Sequence, residues 1–184
     1  GSEKNVLQRT VNAANYMNAD IVVRTVSDCP FIDIDCIDKV INKFKNEQCN
    51  YMSNLHPATW ADGNDVEVMD IDTLIRCFKE SKCDYQKEHV TPYIWDNPNI
   101  FNISNVENNE IFFDKFRFVL DYPEDYQFFD LLYKQIEKSD YDNILFSNKN
   151  LFKILKQNKD IYQINRKHQG YQWYLSYKKS LKTI

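Results

Sequence analysis

The run Asp20-Ile-Val-Val-Arg-Thr-Val constrains this chain more than any other stretch, because Ile21, Val22, Val23, Thr25 and Val26 are β-branched and 3.6-residue periodicity stands on either side of them. A nearly continuous run of this kind reads as a strand buried on both faces of a sheet. Before it, Val6, Leu7, Val11, Ala14 and Met17 recur at helical spacing, with Ser2 as N-cap and an end near Asn18. After it, Asp35 caps a helix through Ile37, Val40, Ile41 and Phe44, followed by a brief strand over 49–53 and a polar loop over 54–64. Asp65-Val-Glu-Val-Met alternates acidic and apolar residues, which predicts a strand with one exposed or functional face. Asp70 or Asp72 then caps a helix through Leu74, Ile75 and Phe78. A helical stretch from about 86 to 95 follows, with Pro92 confined to a first turn or a kink. Residues 101–106 and 116–120 read as strands, and Pro123 with Glu124 and Asp125 opens the next helix.

Strands alternating with helices predict an α/β fold, a mostly parallel sheet with helices on both faces. The chain from Tyr126 onward is mostly helical by pattern, and no Gly/Ser linker divides it. Residues 1–138 are expected to form the α/β unit and 139–184 a helical C-terminal extension of the same domain.

With 184 residues, such a chain buries about 70% of its unfolded surface. A net charge of −4 with both signs mixed throughout gives no basic footprint for nucleic acid or a membrane surface. No apolar run approaches membrane-spanning length and no export signal opens the chain, so a soluble, cytoplasmic protein is expected. Five cysteines without a C-x-x-C pair suggest free thiols, neither a disulfide framework nor a zinc knuckle. The three glycines stand alone, so the chain carries no Gly-rich phosphate cradle, and a nucleotide site must be completed from elsewhere.

In open α/β sheets ligands sit beyond the carboxyl ends of strands. Asp28 and Asp121 occupy that position, each two residues before a proline. Carboxylates at two neighbouring strand ends suit Mg²⁺, which keeps waters and substrate phosphates as its other ligands. The competing reading is an Asx-type turn at Asp28 and a helix entry at Asp121. The pairs Asp33-Ile-Asp35 and Asp70-Ile-Asp72 match the D-x-D of metal-dependent glycosyltransferases, but both precede helices and read better as caps.

Four segments in order, Asp20-Ile-Val-Val-Arg-Thr-Val-Ser-Asp-Cys-Pro-Phe-Ile-Asp, Asp62-Gly-Asn-Asp-Val-Glu-Val, Glu88-His-Val-Thr-Pro-Tyr-Ile and Asp121-Tyr-Pro-Glu-Asp, resemble the motifs of the spore coat polysaccharide cytidylyltransferase family. That family is related to the acylneuraminate and deoxy-octulosonate cytidylyltransferases. The resemblance covers roughly residues 1–125 and implies a Rossmann-like nucleotidyltransferase in which a sugar oxygen attacks the α-phosphorus of CTP and pyrophosphate leaves, for surface polysaccharide biosynthesis. It implies Mg²⁺ on the catalytic aspartates Asp28 and Asp121, and places Asp65, Glu67, Glu88 and His89 near the acceptor sugar or the dimer contact; Arg24 and Arg117, on the two strands that end in those aspartates, are substrate-binding candidates by position, able to meet a phosphate or a sugar carboxylate bidentately. It also implies CTP and a sugar as partners, and a homodimer. Ser27 stands where the family has glycine. The family's opening strand and triphosphate loop, A-R-x-G-S-x-R-L-P-G-K, have no counterpart, so the sequence reads as the C-terminal two thirds of such an enzyme, short by about 60 to 80 residues. Two rival expectations are a non-catalytic remnant or assembly module of that fold, and a glycosyltransferase using a nucleotide sugar.

Overall fold

The computed structural model describes residues 1–138 and 147–170. Helix α1 (Val6–Tyr16) leads into β1 (Ile21–Arg24), α2 (Ile34–Asn46), β2 (Tyr51–Ser53) and β3 (Glu67–Asp70). Then come α3 (Ile71–Glu80), α4 (Asp84–His89), α5 (Pro92–Trp95), β4 (Ile103–Asn105), α6 (Pro123–Glu137), α7 (Asn148–Gln157) and α8 (Lys159–Gln163). A 3₁₀ turn covers Arg166–His168.

The caps follow the chemistry of short polar side chains, shifted from two predicted positions. Asn5, rather than Ser2, caps α1 by accepting from the Gln8 amide at 3.0 Å, while Ser2 accepts from the Asn5 amide one step upstream. Asp33, rather than Asp35, caps α2 by accepting from the Asp35 amide at 2.9 Å. Asp70 caps α3 through the Thr73 amide at 2.6 Å. The stretch read as one helix over 86–95 is two, because Val90 takes a left-handed φ of 75° and Pro92 restarts the helix at its first position. Glu88 and His89 therefore end α4 instead of opening a helix.

The four strands order as β1-β3-β2-β4. The α/β class is as expected, but this sheet is mixed and not mostly parallel: β3 is antiparallel to β1 and β2, and β2 is parallel to β4. The connection explains the difference. Helices lie between β1 and β2 and between β3 and β4, whereas β2 reaches β3 through the loop over 54–66 with no crossover helix. Parallel neighbours need such a crossover, and a strand returning from a loop pairs antiparallel. Residues 116–120 are extended but form no ladder. Their sheet-like pairing is one parallel bridge between Asp62 and Arg117, made by the Asp62 amide on the Phe116 carbonyl (3.0 Å) and the Phe118 amide on the Asp62 carbonyl (2.7 Å).

Strand alternation sends side chains to two layers. Tyr51 and Met69, paired across β2 and β3, pack against Leu7 and Val11 of α1, Leu74 of α3 and Ile94 of α5. Met52 and Val68, the next pair, face Val40 and Phe44 of α2 on the other side. A third cluster gathers Phe31, Phe116 and Phe118 under Phe128 and Leu132 of α6, Leu151 and Leu155 of α7 and Ile161 of α8. This cluster carries the extended segment into position beside the end of β1. Residues 139–146 and 171–184 of the predicted extension lie outside the described residues.

Candidate functional site

The chain leaves β1 at Arg24 and turns at Val26, whose carbonyl accepts from the Cys29 amide at 3.4 Å. The Leu120 amide then donates to the Asp28 carbonyl at 2.9 Å, so the end of β1 and the end of the extended segment are joined by backbone. Asp28 and Asp121 consequently line one cleft of about 520 Å³, together with Arg24, His56, Asp62, Asp65, Glu67, His89, Trp95 and Arg117. Of the residues that sequence and resemblance single out, Glu88 alone does not line it; its side chain is exposed on α4.

The loop that carries Asp62 and Asp65 is fixed from beneath. Asn64 accepts from the Asp33 amide at 2.8 Å and from the Asn148 amide nitrogen at 2.9 Å, and Asn54 accepts from the Val66 amide at 3.0 Å. The Asn148 backbone donates to the second oxygen of Asp33 at 2.8 Å, bringing the start of α7 into the same buried network. Gly63 passes over the extended segment with φ +96°, and a Cβ there would lie 2.5 Å from the Phe118 carbonyl oxygen. Only glycine meets both demands.

At the inner end of the cleft, Glu67 is 1% exposed yet fully engaged. It accepts from the Tyr51 hydroxyl at 2.6 Å, from the Thr91 hydroxyl at 2.5 Å and from the Arg24 guanidinium. The Trp95 indole in turn donates to the Tyr51 hydroxyl at 3.0 Å. Burial opposes the charge on Arg24, but Glu67 outweighs it and holds the guanidinium protonated. Burial drives the pKa of His56 and of His89 below the usual imidazole range. The Nε2 of His56 is buried with no hydrogen-bond partner among the described residues.

At the outer end, Arg117 is 4% exposed and its fork grips Asp125 through Nε and Nη2, each at 3.0 Å. Its Nη1 reaches Asp62 at 3.1 Å and its Nη2 reaches Asp121 at 2.8 Å. Burial resists ionisation of Asp125, but donation from Arg117, from Asn165 at 2.9 Å and from the backbone of Asp121 and Tyr122 holds its carboxyl below the usual range. Asp62 is pushed up to about 7 by burial and then by Asp65, against the pull of Arg117. Asp65 is pushed up to about 6 by burial and then by Glu67. The buried Cys29 thiol is pushed far up by burial and by the surrounding acids, which leaves it no nucleophilic role. All five cysteines are free, as the sequence suggests.

Asp28 is exposed, and its side chain accepts from the Cys29 thiol at 3.8 Å. Asp121 is 47% exposed at its side chain and has Arg117 on one oxygen. Among the described residues no group of three or more His, Cys, Asp or Glu could hold a metal ion alone. Two accessible carboxylates without a protein cage fit a Mg²⁺ that takes its other ligands from water and phosphate. They do not fit a structural zinc, which needs four protein ligands.

Residues 1–168 match the family model described as Cytidylyltransferase. The chain belongs to the cytidylyltransferase family. It is 33% identical over 166 residues to the uncharacterized protein MJ1063 of Methanocaldococcus jannaschii, across 90% of this chain and 65% of that protein. It is 28% identical over 139 residues to the spore coat polysaccharide biosynthesis protein SpsF of Bacillus subtilis, across 73% of this chain and 56% of SpsF. Among solved structures, a cytidylyltransferase from Leptospira borgpetersenii superposes with a TM-score of 0.79 at 28% identity, covering 89% of this chain and 67% of that one. The chain thus spans about two thirds or less of the length of its curated relatives. No helix among the described residues of this cytidylyltransferase family member is long and apolar enough to cross a membrane.

Sequence reasoning missed His56, Asp62 and Asp125 as parts of the site. His56 stands alone in a polar loop and carries no spacing signal. Asp125 did leave a trace: it stands in the first turn after Pro123, where its carboxylate reaches back to the amides of Asp121 and Tyr122.

Proposed function

We propose that this chain contributes the metal and acceptor side of a sugar cytidylyltransferase, transferring CMP from CTP to a sugar for polysaccharide synthesis. The observation that carries the reading is the backbone bond from Leu120 to Asp28, which puts two accessible carboxylates on one cleft wall. A hydroxyl oxygen of the sugar forms a bond to the α-phosphorus, the bond from that phosphorus to the bridging oxygen of pyrophosphate breaks, and the hydroxyl proton is lost to water. Such a transfer needs in-line positioning and charge neutralisation more than covalent catalysis. Asp28 and Asp121 would hold Mg²⁺, whose chemistry there is to neutralise phosphate charge. Arg117 orients Asp121, and the Glu67 network fixes Arg24 at the acceptor end. The family model and the likeness to SpsF support this reading. The glycosyltransferase alternative loses its footing, since Asp33 and Asp70 are both engaged as helix caps.

The test is pyrophosphate release by the full-length protein with CTP, Mg²⁺ and a sugar panel. Asp28→Asn and Asp121→Asn should each abolish release while the melting temperature stays within about 4 °C of the parent. Full turnover by either variant would remove the metal assignment.

A further inference from the structure

We infer that Asn165 is a positioning residue: through Asp125 and Arg117 it fixes the place of Asp121 in the cleft wall. The inference rests on the proposed role of Asp121 as a ligand of Mg²⁺ and extends it to the turn that follows α8.

Asn165 precedes the 3₁₀ turn at Arg166–His168 and is 2% exposed. Its side-chain nitrogen donates to the Asp125 carboxylate at 2.9 Å and to the Arg117 carbonyl at 3.3 Å. One NH₂ group thereby bridges the two residues that control Asp121. Asp125 accepts from the Asp121 amide at 3.0 Å, which sets the backbone of Asp121. Arg117 donates to the Asp121 carboxylate at 2.8 Å, which sets its side chain. Among the described residues, the other donors to Asp125 are Nε and Nη2 of Arg117 and the amides of Asp121 and Tyr122. These tie the segment over 117–125 to itself. Asn165 ties it to the chain beyond α8, as Asp62 ties it to the loop over 54–66.

The neighbours of Asn165 close on the same segment. The His168 ring stacks on that of Tyr122, with centroids 3.9 Å apart and planes 9° from parallel, and its Nε2 lies 3.1 Å from a Glu124 oxygen. The Gln169 side chain donates to the Lys115 carbonyl at 2.8 Å. Gly170, the next residue, lines the cleft with Asp121 and Tyr122. The family match runs to residue 168, so Asn165 and His168 lie within it. Outer residues that orient a carboxylate ligand carry about tenfold or more of metal affinity, because a carboxylate free to turn away must be ordered at each binding event.

Mn²⁺ alone, titrated into the full-length protein with the free ion followed by electron paramagnetic resonance, tests this. Asn165→Leu should weaken binding about tenfold, and Asp121→Asn should remove it. Ile161→Val trims the cluster into which α8 packs and changes no hydrogen-bonding group, so it should leave Mn²⁺ affinity within about twofold of the parent even where it lowers the melting temperature as much. That control separates orientation of Asp121 from general stability. Asn165→Asp keeps the volume and turns the donor into an acceptor; it should weaken binding too, and it serves where Asn165→Leu does not fold. In turnover, the Mg²⁺ concentration for half-maximal pyrophosphate release should rise by the same factor in Asn165→Leu, with the sugar KM unchanged. An equal loss of affinity in Ile161→Val, or collapse of the fold in both Asn165 variants, would overturn the inference. Binding that depends on Asp121 but is unaltered in a folded Asn165 variant removes this inference alone. Binding indifferent to Asp121→Asn, or none by the parent, removes the metal assignment on which it stands.

Discussion

The two ends of the cleft each hold an arginine, Arg24 half-buried and Arg117 buried, and they are built on opposite principles. At the inner end one acid, Glu67, is the hub, and two hydroxyls and a guanidinium converge on it. At the outer end the guanidinium is the hub, and Asp62, Asp121 and Asp125 converge on Arg117. An acid hub with neutral donors survives the loss of its cation better than a cation hub surrounded by acids. The inner arrangement therefore serves precision at the cleft wall. The outer one serves cohesion, since its three acids come from a loop, the end of the segment over 116–120 and the first turn of α6.

The sharpest way to break that comparison is at Arg117. Arg117→Leu leaves Asp125, fully buried, among other acids, and should cost about 3–5 kcal/mol in urea unfolding. Arg24→Leu should cost only about 1–3 kcal/mol in the same measurement, because Tyr51 and Thr91 still donate to Glu67. Equal losses at the two arginines would erase the distinction. Tyr51→Phe removes one donor from Glu67 and strands the Trp95 indole, for about 1–2 kcal/mol.

The smallest effect is a difference in pH dependence. The folded pKa of Asp125 lies below its ordinary value, so its contribution is present above the carboxylate range and is lost as pH falls through the folded value. Asp65 has the reverse sign. Its folded pKa is about 6, so the native state holds an extra proton between pH 3.8 and about 6, and stability declines as pH rises through that window. Melting temperatures measured across it should fall less steeply for Asp65→Asn than for the parent. A steeper fall in the variant would show that Asp65 is stabilised as the anion.

The layers were legible because burial follows period: Leu7, Val11 and Ala14, or Cys36, Val40 and Phe44, mark the inward face of a helix whatever it packs on. The strand at 21–24 was equally plain as a strand, but the β-branched run that reads as buried on both faces is the edge strand β1, with Ile21 and Val23 exposed. The direction of β3 was not, since Asp65 to Met69 reads the same in either orientation and only the helix-free connection decides. The segment over 116–120 misled for a related reason. Phe116 and Phe118 alternate like a strand, but they turn into the cluster under α6 and α7, where their aromatic neighbours replace a strand partner. Asp28 and Asp121 could be placed together on strand-end logic and family resemblance. The neighbours that set their environment, Asp62, Asp125 and Asn165, come together only through the folded loop and the C-terminal helices.

The Leu120 to Asp28 backbone bond also sets when this cleft can exist. Its partners are separated by roughly 90 residues, so it forms only after the chain has closed a long loop, and contacts of that span are late and slow events in folding. During synthesis the sheet around β1 to β4 can assemble before α6 leaves the ribosome, whereas the wall carrying Asp121 cannot. A chain stopped before Pro123 would contain Asp28 and Asp121 but lack α6, α7 and α8, whose residues hold Phe116 and Phe118 in place. The wall that carries Asp121 is therefore tied to the last helices of the described chain, and the pairing of the two carboxylates waits on them.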